Sequence, residues 1–248
     1  MKVAIVQPYC FPYISYFQLI NSVDKFIVYD NLNFIKESWG NRNRILLKCS
    51  GTLLIHIPLK HKSSFRKYSE TKIDNSGKWR DKLKKTLSFN YRKAPMFEDV
   101  FPLIEDSINY PADTISEFNF HSLQNICRYM NITTLLENKS DKYRYIEDLL
   151  LSKSYLDIYN NIEIKTARVI EICRIENADI FHNAIGGMKL YSKDIFLNWN
   201  IKLKFIKTND IIYKQYQFNF IPDLSIIDVV MFNSKPELNK LLNEYTLI

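Results

Sequence analysis

The sequence predicts an α/β fold: a Rossmann-like, mostly parallel sheet with a helical insertion in its middle third. Short apolar runs at residues 2–7, 25–30 and 178–182 alternate with helical patterns, as expected of parallel strands joined by crossover helices and buried on both faces. Apolar residues recur at helical spacing through residues 78–92, 97–109 and 115–130, with Pro95 and Pro111 at the breaks. A chain of 248 residues that is 46% hydrophobic and 14% aromatic can fill one sizeable core, and that composition excludes intrinsic disorder. One domain over residues 1–248 is expected, with the helical insertion or lid at about 77–131.

Each element follows from local chemistry. Residues 2–7 lead through Gln7-Pro8 into residues 13–23, whose apolar positions fall at helical spacing, and then into the strand 25–30. This reads as a β-loop-α-β unit, and ligands of such sheets sit beyond the carboxyl ends of the strands. Strands at 44–48 and 52–57 flank Ser50-Gly51, which has the composition of a hairpin turn. A short strand at 133–136 and an amphipathic helix at 164–175 precede the strand ending at His182 and a turn over residues 183–187. A strand at 202–206 and helices at 225–232 and 236–245 close the chain, without internal repeats or low-complexity linkers.

Several function classes drop out. Nowhere do roughly 20 apolar residues run uninterrupted, so no membrane span is expected, and the opening residues enter a strand pattern without a cleavable signal. A cytoplasmic location is expected. Cys10, Cys49, Cys127 and Cys173 form no C-x-x-C pair, and His56, His61, His121 and His182 lack metal-ligand spacing, so reduced thiols, no metal and no cofactor are expected. Charge is uneven. The net charge is +7, yet Lys60 to Lys93 holds twelve Lys/Arg against three Asp/Glu. Such a face suits an acidic partner, with nucleic acid the less favoured alternative.

The candidate site gathers residues that follow strands. Gln7, Tyr9, Tyr13 and Tyr16 belong to a stiff proline-aromatic loop and the helix after it, whose free N–H groups can hold an anion. Asp30 and Asn31 sit at the expected end of the second strand, and Lys36, Trp39, Asn41, Arg42 and Asn43 follow closely. Arg42 can clamp a phosphate or carboxylate, the asparagines can read sugar hydroxyls, and Trp39 can stack on a ring. The chain has only five glycines, well below the usual ~7%, yet Gly186 and Gly187 are adjacent. With Asn183 before them and Tyr191 after, they form a candidate close-approach turn. His182, just before that turn, is a candidate base.

Together these stretches resemble the WbqC-like family of surface-polysaccharide loci across nearly the whole chain. The resemblance is carried by Gln7-Pro8-Tyr9, Phe11-Pro12-Tyr13-Ile14, Tyr16-Phe17-Gln18-Leu19-Ile20, Tyr29-Asp30 and Phe34-Ile35-Lys36. It continues through Trp39, Asn41-Arg42-Asn43-Arg44-Ile45, Trp79, Tyr91, Lys93-Ala94-Pro95, Asn183, Gly186-Gly187, Leu190-Tyr191 and Leu224-Ser225-Ile226-Ile227-Asp228. Cys10 and His182 depart from the family pattern, as more mildly do Ser15 and Gly40. The resemblance implies a place in O-antigen, lipopolysaccharide or related glycan biosynthesis. The leading expectation is a transferase that attaches an acyl or aminoacyl group to the amine of a nucleotide-linked amino sugar. Gln7, Asp30 or His182 would orient the amine, Arg42 and Lys36 would hold the diphosphate, and Lys60 to Lys93 would dock an acidic donor or carrier protein. An ATP-using ligase or nucleotidylyltransferase, and a non-catalytic binding module of a glycan assembly complex, are the alternatives.

Overall fold

Strand parity sorts the side chains of the sheet into two apolar cores in the computed structural model, which describes residues 1–60, 63–138, 140–216 and 219–248. Strands β1 (Lys2–Val6) and β2 (Lys25–Val28) pair in parallel and are joined by helix α1 (Ile14–Asn21). Ala4, Phe26 and Val28 enter one cluster with Ile14, Phe17 and Ile20 of α1, whereas Val3, Ile27 and Tyr29 enter the other. This is the period-two separation of a sheet covered on both faces.

A separate hairpin follows, with β3 (Arg42–Leu46) antiparallel to β4 (Thr52–His56). Both strands begin and end slightly earlier than, or at, the limits expected from sequence. Three helices then form the insertion: α2 (Trp79–Tyr91), α3 (Phe97–Asn109) and α4 (Ile115–Tyr129). Their Leu87, Val100, Ile104, Ile115 and Phe118 share the cluster of α1. Thr114 caps α4 through a reciprocal capping box with Glu117.

The chain rejoins the sheet at β5 (Leu135–Glu137), then forms α5 (Arg144–Leu151), α6 (Ser154–Ile158) and α7 (Ile164–Ile175). Next come β6 (Ile180–Ala184), α8 (Lys193–Leu197), β7 (Lys202–Thr208), α9 (Ile226–Phe232), α10 (Lys235–Asn243) and β8 (Tyr245–Leu247). Strand β6 continues to Ala184, so residues 185–189 form a 3-10 turn where a tight glycine turn was expected. Helices α5, α6 and α8 and strand β8 were not anticipated.

The sheet order is β5-β2-β1-β6-β7-β8, parallel throughout except for the antiparallel edge strand β8. From β1 the chain moves outward to β2 on one side, and from β6 to β7 on the other. Strand order therefore reverses between β1 and β6, where an open α/β sheet forms its crevice. No described helix is long and apolar enough to cross a membrane.

Buried polar groups tie the elements together. Asp228 of α9 accepts hydrogen bonds from Tyr91 (2.8 Å), Tyr213 (2.7 Å) and Gln215 (2.9 Å), linking α9 to the insertion. Below the sheet Glu176 meets Lys25 at 2.8 Å, accepts from Tyr143 at 2.6 Å and pairs with Lys142. Burial alone would raise the Glu176 pKa, but hydrogen bonds from Lys142, Lys25 and Tyr143 outweigh it and hold the carboxyl at about 2. A folded pKa below the ordinary carboxylate value means that this stabilisation is present at neutral pH and lost as pH falls. Glu176→Gln should flatten the loss of stability between pH 4.5 and about 2 in urea denaturation. Lys25→Met, which removes one of three partners and leaves Glu176 with Lys142 and Tyr143, should cost about 1–3 kcal/mol at pH 7.

Candidate functional site

A cavity of about 710 Å3 opens where β1 and β6 end, and Ile5, Val6, Asn183 and Ala184 form its floor. One wall is the loop between β1 and α1. Phe11 in that loop has φ 41°, in the left-handed region where an aromatic residue is strained. Its carbonyl accepts from Asn43 Nδ2 at 2.7 Å and from Ser225 Oγ at 2.9 Å, while its ring is buried. Asn43 also donates to the Cys10 carbonyl at 3.0 Å, and the Cys10 and Ile226 amides close further bonds to Trp39 and Pro12. The loop is thus held by β3 on one side and the start of α9 on the other.

That loop sets three tyrosines around the cavity. Gln7 Nε2 donates to the Tyr9 hydroxyl at 2.7 Å, and the Tyr16 hydroxyl donates to the Gln7 carbonyl at 3.1 Å. The Tyr9 and Tyr16 rings lie 5.7 Å apart. Tyr13 stands at the N-cap of α1 and supplies no side-chain hydrogen bond. The first-turn amides beside Ser15 consequently lack a side-chain cap at the cavity edge, an arrangement favourable to an anion. Burial, with the Asp223 carboxylate adding to it, pushes the Tyr13 hydroxyl up to about 12, so it remains a donor at neutral pH.

The opposite wall is the turn after β6, contributing Gly186, Gly187, Leu190 and Tyr191. The Tyr191 ring rests edge-on against Phe181 and Phe196. The two glycines do different things. A Cβ on Gly187 would lie 2.4 Å from Asn183 Nδ2, whereas a Cβ on Gly186 would meet nothing within 4 Å. Gly187 lets Asn183 pack, and Gly186 leaves the rim open.

Among the described lining residues one guanidinium, Arg44, and one carboxylate, Asp223, carry charge. Arg44 Nη2 donates to the Asp223 carbonyl at 3.2 Å, and its buried Nε has no partner among the described residues. Neither was a site candidate from sequence, although Arg44 belongs to the Asn41-Arg42-Asn43-Arg44-Ile45 stretch that carries the resemblance. Arg44 lies two positions along β3 from Arg42, so strand alternation offers both arginines to one face without saying which reaches the cavity. Asp223 lies in a loop with φ 57° and carries no periodic signal.

The structure brings Gln7, Tyr9, Tyr13, Tyr16, Trp39, Asn43, Asn183, Gly186, Gly187 and Tyr191 to one cavity. The other sequence candidates are absent from its described lining. Asp30 accepts from Ser116 Oγ at 2.5 Å and so ties the end of β2 to α4. Asn31 is half-buried beside it, and Lys36 is exposed. Asn41 is buried and donates to the Ile57 carbonyl at 2.9 Å, while Arg42 donates to the Glu37 carbonyl.

His182 requires correction as a base. The single hydroxyl proton of Ser22 goes to the Leu19 carbonyl, so His182 Nδ1–H donates to Ser22 Oγ, at 3.0 Å. That contact is at the C-terminal end of α1, whereas the cavity is at its N-terminal end. Burial, reinforced by Lys2 and Lys204, lowers the imidazole pKa to about 4. Cys10 is buried and burial pushes its thiol up, so it is no activated nucleophile. No three His, Cys, Asp or Glu side chains among the described residues converge as a metal site.

Gly187→Ala should cost about 1–3 kcal/mol through the clash with Asn183, and Gly186→Ala should leave the denaturation midpoint nearly unchanged. Paired urea titrations read both.

The likeness to known proteins is one of sequence. The chain matches the WbqC-like protein family over residues 7–240. It is also 30% identical over 235 residues to Rv1507c, an uncharacterized protein of Mycobacterium tuberculosis, covering 94% of this chain and 93% of that one. No solved structure matches it. The loop, hairpin and diglycine turn that form the cavity all fall inside the matched span, and the chain belongs to the WbqC-like family.

Proposed function

We propose that this protein is a transferase that joins an acyl or aminoacyl group to the amine of a nucleotide-linked amino sugar in surface-glycan biosynthesis. The supporting observation is the composition of the crevice at the strand-order reversal. It combines an uncapped helix start, one arginine, one carboxylate and several aromatic rings around about 710 Å3, a size and lining suited to a small organic ligand. Arg44 and the α1 amides would hold the diphosphate. Tyr9, Tyr16 and Tyr191 would wall the sugar and base, with Trp39 at the rim.

In the reaction the amine nitrogen bonds to the acyl carbon while the bond from that carbon to the donor's oxygen or sulfur breaks. The nitrogen enters as an ammonium and loses two protons, one to a carboxylate before the attack and one to the leaving group as the tetrahedral intermediate collapses. Asp223, as the carboxylate of the crevice, would orient the ammonium and take its proton. The protonated Tyr13 hydroxyl would donate to the oxygen that becomes negative in the tetrahedral intermediate. Orientation supplies much of the rate of such an attack.

A nucleotidylyl transfer or ATP-driven ligation fits less well. Those reactions need several cations on a triphosphate, and the described lining holds only Arg44, with no lysine or histidine. Arg44→Ala should weaken binding of a UDP-linked amino sugar by roughly 10–100-fold in calorimetry, the loss of one charge-assisted contact. Arg42→Ala should change it little. Equal losses in the two variants, or ATP-dependent pyrophosphate release, would sink this reading.

A further inference from the structure

The insertion carries a second surface whose chemistry is unlike that of the crevice. Asp81, Lys84, Lys85, Ser88, Phe89 and Arg92 recur every three or four residues along α2 and line a groove of about 450 Å3. Phe101 and Glu105, one turn apart on α3, form its other side. Two antiparallel neighbours with a shared face make the seat for a third helix.

Phe89 is 60% exposed in the middle of that face, where a helix of this polarity gains nothing from an apolar ring in water. Lys48 of the hairpin end holds its ammonium 5.9 Å from the Phe89 centroid, and Phe101 is stacked on Phe97 at 4.8 Å. The exposed Phe89 and the half-buried Phe101 thus sit in a groove that also carries Lys84, Lys85 and Arg92. Lys84 is shared between Asp81 at 3.3 Å and Glu105 at 3.6 Å, whereas Lys85 and Arg92 have no ion pair among the described residues. The α2 side of the groove lies within the Lys60 to Lys93 run, of which His61 and Lys62 fall outside the described residues.

We propose that this α2–α3 groove docks an acidic amphipathic helix of a partner protein, its apolar residues against Phe89 and Phe101 and its carboxylates against Lys85 and Arg92. A nucleic acid fits the same charge less well. The exposed Phe89 ring would have no use on a duplex backbone. Identification of the partner as the carrier of the acyl donor rests on the proposed transfer reaction; the docking surface itself does not.

The test uses the full chain and a fluorescein-labelled synthetic helix with glutamates at i, i+4 spacing on one face and leucines on the other, followed by anisotropy. Saturable binding is expected. Lys85→Glu with Arg92→Glu, and separately Phe89→Ser, should each weaken it by roughly tenfold. Lys202→Glu with Lys240→Glu, on exposed positions elsewhere, should not. No binding, equal loss in the control pair, or tighter binding of an RNA duplex of matched charge would overturn the proposal. Binding of the UDP-linked amino sugar should be unchanged in the groove variants. If the helix docks while the nucleotide sugar fails to bind, the groove stands and the transfer reaction falls.

Discussion

The crevice depends on one distorted residue. Phe11 occupies a backbone region that costs a bulky side chain about 1–3 kcal/mol, and two hydrogen bonds to its carbonyl return roughly 0.5–1.5 kcal/mol each. Burial of its ring, 1% exposed, offsets the remainder. The bend reverses the chain between β1 and α1, which points Tyr9 and Tyr13 into the cavity on either side of it. Its supports come from Asn43 on β3 and Ser225 at the start of α9. Segments more than 200 residues apart, at positions 11 and 225, therefore have to be in place before the site has a shape.

The insertion serves that bend more than it serves as a cover. None of the residues of α2, α3 or α4 belongs to the described lining of the cavity, and the helices are tied down by specific polar contacts. Ser116 holds Asp30, Asn119 donates to the Gly40 carbonyl at 2.8 Å, and Tyr91 bridges the Leu46 amide to Asp228. Phe118 stacks edge-on against the Phe11 ring at 5.8 Å. The middle third thus braces the hairpin and the loop from behind, and leaves its own outer groove free for another purpose.

Periodicity was enough to read most elements. The strands β1 and β2, the helix between them, and α7 at residues 164–175 lie where the apolar spacing puts them. That the loop after β1 and the turn after β6 would meet follows from parallel topology, because both leave the same edge of adjacent strands. Side-chain destination was less legible. Asn183 lines the cavity while His182, one residue earlier, points into the core on the α1 side, and a one-residue change of strand parity decides between them. Asp30 looked like a ligand group at a strand end, but Ser116, 86 positions away, claims it. Short elements such as α6 and α8 are held by packing of Tyr155 and Phe196 into the second core, and five residues give too little periodicity to detect.

The titration state of the crevice narrows the chemistry it can perform. Tyr13 keeps its proton, His182 is neutral but remote, and the buried thiol of Cys10 is protonated. Neither a histidine nor a cysteine stands among the described lining residues; Asp223 is the one carboxylate and Ser15 the one aliphatic hydroxyl there. A substrate amine brings its own nucleophile, and an activated ester or thioester brings its own leaving group. Such a pair asks the protein for alignment and for hydrogen-bond donors near the developing oxyanion. A rigid loop carrying tyrosine hydroxyls, fixed by bonds to a strained carbonyl, is suited to supply both.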